Sequence, residues 1–360
     1  MFTNALRALQ KSKLKTFLIY FSLTFSIASI FLISSISHGI IGMYSTMLQT
    51  DGDIIVTQKK IADTFFSDVD ITLLKSIKKI HNVSSASAMI LGASPVATLP
   101  IVAIYGVTHN RFNNYKLKKG DYPQKDEALI GASIYNTLSD KKNIQIANKM
   151  FTISGVFESE IGFENGGIVL NIEDAGAIFH KSASILLLTT DLNANIDTII
   201  ERIKKLDDNI DVKSTKSFVK NYNQFKIIQT SSNVISLLAF VMGLISIISI
   251  MSITVNQRES EFGIKRALGI SMKQIVWSLL IEALLLGLSS FISAYLFSMM
   301  LLELIKRSPA LQGYVNGIIS FELFIWIFIS SLVMVILGSI LPALNAAKTD
   351  PILLIQGNKS

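Results

Sequence analysis

Four long runs without a single Asp, Glu, Lys or Arg restrict what this chain can become. They extend from Thr16 to Thr50, from Ile227 to Gln257, from Ala283 to Leu302 and from Leu323 to Ala347. A bilayer core about 30 Å thick is crossed by roughly 20 apolar residues in a helix, and each run is long enough. One run stands alone, a soluble insert follows over residues 51–226, and three runs then come in close succession. Half of the residues are hydrophobic and the mean hydropathy is +0.49, more than a soluble core of this size could hide. The chain therefore reads as an integral membrane protein.

Basic residues in short loops stay on the cytoplasmic side, which sets the orientation. Arg7, Lys11, Lys13 and Lys15 precede the first run, and Arg258, Lys265, Arg266 and Lys273 fill the loop between the second and third. Both segments are expected in the cytoplasm. Four crossings then return the C-terminus to that side and leave the insert and the 304–321 loop outside. The insert carries 21 basic and 20 acidic residues, so nearly all of the formal charge of +7 lies elsewhere. The basic balance reports topology and gives little support to nucleic-acid binding.

The first run far exceeds the apolar region of a cleaved signal and is read as a retained span. The first two runs also exceed the bilayer, since 35 residues in a helix reach about 50 Å. Part of each helix is expected to protrude as a stalk, with a loose linker around Gly39 and Gly42 as the alternative. The second helix is free to begin before residue 227, because Ser217–Gln229 contains no Gly or Pro. With no cysteine in the chain, the outer domain has no disulfides and depends on its own core.

Within the insert, strands are predicted over Asp53–Thr57, Val83–Leu91 and Val96–Tyr105 around a helix over Asp70–Ile80, where Ile71, Leu74, Ile77 and Ile80 recur at helical spacing. Strand Ile185–Thr190, helix Ile196–Leu206 and strand Asn209–Ser214 follow. Residues 111–167 differ, with short strands at Ala128–Ile130, Ile144–Ala147 and Phe151–Phe157 broken by turns. The reading is a β-rich subdomain inserted into an α+β subdomain. The complete expectation is a membrane protein of four transmembrane α-helices with this large α+β extracytoplasmic domain between the first and second. Its segments are a basic cytoplasmic stretch (1–15), the first span and stalk (16–50), the outer domain (51–226), the second span (227–256), a cytoplasmic helix (257–270), the third span (271–303), an outer loop (304–321), the fourth span (322–342) and a cytoplasmic tail (343–360).

Chemistry is hard to find. His81, His109 and His180 lack metal-ligand spacing, and no Gly-x-Ser-x-Gly or Cys/His arrangement occurs. The carboxylate pairs Asp207/Asp208 and Asp68/Asp70 read as helix caps and solvated faces. A phosphate-binding loop needs a Gly-Lys pair, and that dipeptide is absent. No catalytic residue, metal site or cofactor site is assigned. Any ATP, with its magnesium, is expected on another chain.

The segment from Gln257 to Ser271 is where such a chain could attach. It reads as a short charged helix with Glu261 and Lys265 at i,i+4 and Gly269 at its C-terminal end. Ser271 and Gln274 form a capping-box pattern that opens the next helix. Between two membrane helices, this segment would act as a lever. Elsewhere, Ala239/Gly243 and Ala283/Gly287 offer small faces for close helix packing, within the chain or between two copies. Glu282, near the cytoplasmic end of the third span, needs a partner or reaches the interface.

Glu259, Glu261, Phe262, Gly263, Ile264, Arg266, Ala267, Leu268 and Gly269 together resemble the coupling-helix signature of the FtsX-like permease family, the membrane subunits of ABC transporters of the MacB and LolC/LolE type. Pro342, Ala343, Ala346, Ala347 and Pro351 are similar to that family's C-terminal pattern. Residues 5–16 resemble its entry helix, and Ile281-Glu282-Ala283 the start of its third span. In the insert, Leu117/Gly120/Pro123, Glu127–Gly131 and Phe151/Gly155/Val156 resemble the β-rich part of the MacB-type extracytoplasmic domain.

The resemblance implies a permease of the type VII class in the inner membrane. It would be paired with a second permease, identical or not, and would rest on an ATPase subunit that binds ATP. Motion would pass through the coupling helix to the outer domain, which acts on an extracytoplasmic substrate or accessory protein, as in efflux or lipoprotein release. Glu259, Glu261, Phe262, Lys265 and Arg266 are the expected ATPase contacts, with Gly263 allowing close approach and Gly269 closing the helix. Glu261→Lys or Phe262→Asp is expected to uncouple hydrolysis. A regulator of cell-wall hydrolases is the alternative within the family, and a membrane receptor or scaffold the alternative outside it.

Overall fold

The computed structural model describes residues 13–138, 142–159, 162–307 and 317–348. The entry-helix residues 5–12, half of the 304–321 loop (308–316) and the end of the C-terminal pattern at Asp350-Pro351 lie outside them. The described residues separate into two compact units, a helical unit and a sheet unit.

Four helices form the helical unit or pass into it: α1 (Lys13–Asp51), α8 (Asn223–Gln257), α10 (Met272–Arg307) and α11 (Phe321–Lys348). All four are long and apolar enough to cross a membrane, and each overruns the span marked by its uncharged run. Gly39 and Gly42 do not interrupt α1, and α11 continues past Pro342. A membrane helix tolerates the lost proline hydrogen bond because neighbouring groups compensate for it.

Small residues set the packing. A methyl group on Gly243 would lie within 2.6 Å of atoms of both Ser26 and Met334, one on Gly287 would strike Val335, and one on Gly338 would strike Ile247. The small faces around Gly243 and Gly287 thus serve packing inside the chain. Serine hydroxyls add hydrogen bonds between helices, Ser290 donating to the Tyr20 carbonyl at 3.2 Å and Ser298 to that of Ala28 at 3.4 Å. Phe31 is buried at the centre against Phe291, Tyr295 and Phe324.

The sheet unit is built on ten strands: β1 (Ile54–Gln58), β2 (Val83–Val96), β3 (Leu99–Val107), β4 (Lys116–Gly120), β5 (Glu127–Gly131), β6 (Asn143–Ile146), β7 (Lys149–Glu158), β8 (Ile168–Asn171), β9 (Ile185–Thr190) and β10 (Ile210–Ser214). Their order is β10-β1-β9-β2-β3-β8-β5-β7-β4, with β6 also on β7. The expected subdomains are therefore joined in one sheet. The junction is the antiparallel pairing of β5 with β8, registered Ala128 with Leu170 and Ile130 with Ile168, while β8 in turn lies parallel to β3. Residue spacing carries no trace of such a long-range pairing.

Both sheet faces are covered, so residues two apart enter different cores from their neighbours. Ile54, Val56, Leu186 and Leu188 enter one core, while Ile55, Ile185 and Leu187 enter the other. The first face is closed by α2 (Leu73–Ile77), α3 (Ala132–Leu138), α5 (Ile172–Phe179) and α6 (Ile196–Lys204), through Leu74, Ile77, Ile134, Leu138, Ala175 and Ile199. The helix expected over Asp70–Ile80 is thus shortened, because Asp70 and Thr72 form a turn rather than helix, with Asp70 Oδ1 accepting from the Thr72 N–H at 2.8 Å.

The second face is closed by the far end of α1, through Met43, Met47 and Leu48, and by Phe218 of α7 (Thr215–Asn221). Part of the long first apolar run is therefore core of the sheet unit, as a stalk would be. Tyr222, with extended backbone, separates α7 from α8, so the second long helix begins at Asn223, before the uncharged run and inside Ser217–Gln229, as the lack of Gly and Pro there allows. The carboxylate pairs cap no helix and instead brace loops: Asp68 accepts from the Ser182 N–H and Asp207 from the Asn209 N–H, each at 2.8 Å.

Candidate functional site

The loop between α8 and α10 forms a short helix, α9 (Glu259–Ala267), fixed at both ends. Glu259 and Glu261 lie in its first turn and Lys265 and Arg266 in its last, each sign complementing the helix dipole. At the C-terminal end Gly269 adopts φ +87°. Its N–H donates to the Arg266 carbonyl and the Ile270 N–H to that of Lys265, each at 3.0 Å, so the last carbonyls are satisfied in a Schellman arrangement. Ser271 and Gln274 then close a capping box: the Ser271 N–H donates to Gln274 Oε1 at 3.0 Å and the Gln274 N–H to Ser271 Oγ at 3.4 Å.

A charged network runs along α9. Lys265 Nζ bonds Glu261 Oε1 at 2.8 Å, and Arg258 Nε bonds Glu261 Oε2 at 3.2 Å. Arg258 also reaches Glu282 on α10, Nη1 to Oε2 at 2.8 Å. Burial alone would raise the Glu261 pKa, but bonds from Lys265 and Arg258 outweigh it and hold the group at about 2. Burial likewise opposes the charge on Arg258, and the facing Glu282 and Glu261 more than restore it, raising its pKa. Both cations also lie over the Phe262 ring, Arg258 at 5.2 Å and Lys265 at 5.7 Å from its centroid.

The residues expected to touch an ATPase divide. Glu259 and Gly269 are exposed, and Glu261, Lys265 and Arg266 are half-buried. Phe262 is only 3% exposed and belongs to the buried cluster of Val255, Ile275, Leu279 and Ala343; Gly263 is buried as well. The exposed apolar side chains of α9 and its C-cap are instead Ile264, 54% exposed, and Leu268, 77% exposed. Sequence reasoning missed these two although their i,i+4 spacing signals a shared face. It also left Glu282 without its partner, Arg258.

In the sheet unit, a cavity of about 340 Å³ is lined by Met43, Tyr44, Leu91, Tyr105, Phe225 and Ile228 among others. Tyr44 and Tyr222 stack at 6.0 Å, and the Thr64 N–H donates to the Tyr222 hydroxyl at 3.1 Å. Burial pushes the Tyr222 phenol up to about 12, so it is neutral at physiological pH. Among the described residues no cluster of His, Cys, Asp or Glu could hold a metal ion.

Residues 233–351 match the family model of the FtsX-like permease C-terminal region, and residues 16–206, more than half of the chain, match that of the MacB-like periplasmic core domain. The chain belongs to the FtsX-like ABC permease family with a MacB-like domain. An uncharacterized ABC transporter permease of Methanocaldococcus jannaschii is 25% identical over 70% of this chain and 61% of its own. The macrolide export ATP-binding/permease protein MacB of Acinetobacter baylyi is 30% identical over 33% of this chain and 18% of its own. The lipoprotein-releasing system transmembrane protein LolC of Xylella fastidiosa is 23% identical over 65% of each. This FtsX-like permease thus spans less than two thirds of the length of the first two relatives.

Proposed function

We propose that this chain is the membrane subunit of an inner-membrane ABC transporter, moved by a separate ATPase that binds ATP and magnesium on the cytoplasmic side. The ATPase docks on the outward face of α9, with Ile264 and Leu268 as apolar anchors and Glu259 at the rim. Motion passes along α1 and α8 into the sheet unit on the other side of the membrane. That unit then acts on an extracytoplasmic substrate or accessory protein, with a second permease completing the assembly and lipid surrounding the spans. The observation that carries this reading is α9 itself, a helix capped at its C-terminal end and bonded through Arg258 to a neighbouring span, with an exposed apolar pair.

The buried position of Phe262 changes the informative variant. Phe262→Asp would place an unpaired carboxylate in an apolar cluster and would test folding rather than docking. Ile264→Asp with Leu268→Asp leaves that cluster intact. Affinity purification of the tagged chain in mild detergent is expected to retain an ABC ATPase with the wild type and to lose at least nine tenths of it with the double variant. Equal retention by both would refute the docking face.

A further inference from the structure

Arg258 occupies the corner between α8 and α9, with backbone angles of φ −106° and ψ 13°. Its guanidinium bonds carboxylates on two different helices, Glu261 on α9 and Glu282 on α10. Glu282 is 5% exposed, and it lies ten residues into α10, about 15 Å along the helix axis from Met272. The other end of α9 is already joined to the start of α10 through Gly269 and the Ser271/Gln274 box. Helix α9 is thus held to α10 by polar bonds at two separated points, one a hydrogen-bonded turn and the other a largely buried ion pair, in addition to the apolar packing of Phe262.

We propose that Arg258 is a positioning residue that locks α9 to the third span through Glu282, so that a push on α9 displaces α10 as a rigid body. The inference rests on the ATPase-driven reading above. Without the lock, α9 is held to α10 only by the Leu268–Ser271 turn and by the apolar packing of Phe262, which is non-directional, so α9 can tilt about the turn and part of the push is absorbed there. A buried ion pair is a weak source of stability, because desolvation offsets most of its attraction, and replacement of both partners by apolar groups is often neutral. Removing one partner alone is damaging, since it strands a buried charge. The pair Arg258→Met with Glu282→Leu therefore separates positioning from folding.

The chain has no cysteine, so spin labels can be placed at Ser260→Cys on α9 and Leu288→Cys on α10 without background. Electron–electron distance distributions would be recorded on the full chain in lipid nanodiscs, alone and with its co-purified ATPase trapped by ATP and vanadate. The wild type is expected to give one narrow distribution, the same in both states. Arg258→Met/Glu282→Leu is expected to retain the ATPase within twofold of wild type while its distribution at least doubles in width or shifts on trapping. The reversed pair Arg258→Glu/Glu282→Arg is expected to narrow it again; if the reversed pair does not fold, the neutral pair decides alone. A neutral pair as narrow and immobile as the wild type would overturn the lock. If the wild type retains no ATPase, the docking reading fails by itself, and the widths measured on the chain alone still decide the lock.

Discussion

At the scale of single residues, Glu261 shows how α9 is held together. Its folded pKa of about 2 lies below the ordinary 4.5, so its ion pairs stabilise the fold fully above about pH 4.5 and lose that contribution as pH falls towards 2. Its side chain is 41% exposed, and solvent screening keeps the effect small. Thermal unfolding in detergent should place Glu261→Gln slightly below wild type at pH 6 to 7, with the gap narrowing below about pH 4.5 and closing near pH 2. Curves separated equally at both pH values would show that Glu261 acts by some other means. Phe262 gives a larger effect: Phe262→Ala removes a buried ring at an expected cost of about 3–5 kcal/mol, seen as a drop in melting temperature. Ile264→Ala, at an exposed position, should leave that temperature nearly unchanged.

Much of this segment was legible in the residues. The Glu261/Lys265 pair, the left-handed Gly269 and the Ser271/Gln274 box are local features, and spacing alone specifies them. What could not be read is the direction in which α9 faces its neighbours. That depends on Val255, Ile275 and Ala343, which come from three other helices and are distant in sequence from one another. The inward turn of Phe262 and the outward turn of Ile264 and Leu268 follow from that packing. The partner of Glu282 was hidden for the same reason, since Arg258 lies 24 residues away.

At the scale of elements, the two long apolar helices matter most. Met47 and Leu48, near the end of α1, are fully buried in the sheet unit, so the helix is core on one stretch and span on another. Met47→Ala should destabilise the sheet unit by about 2–5 kcal/mol without changing membrane insertion. Limited proteolysis in detergent would show faster cleavage between residues 51 and 226, and unchanged cleavage there would argue against the packing. Strand β9 and helix α6 were readable because each is a strong local pattern, a continuous apolar run and a helix-period stripe. The joining of the two halves through β5 and β8, with β8 parallel to β3, was not, because pairing between strands distant in sequence leaves no periodicity in either strand.

At the scale of the whole molecule, the order of apolar runs and insert already outlined four spans with a soluble domain, the motif resemblance implied a permease, and the family match agrees with both. The proposed mechanism requires that events at α9 be felt in the sheet unit through α1 and α8. Hydrogen–deuterium exchange of the full chain with its ATPase, with and without ATP and vanadate, measures this most directly. The account predicts that trapping alters exchange at Met43–Leu48 and Phe218–Phe225, and that inserting three glycines between Gln229 and Thr230 abolishes the change while leaving the ATPase bound. Exchange in those segments that is identical with and without nucleotide, or a nucleotide effect that survives the insertion, would contradict it.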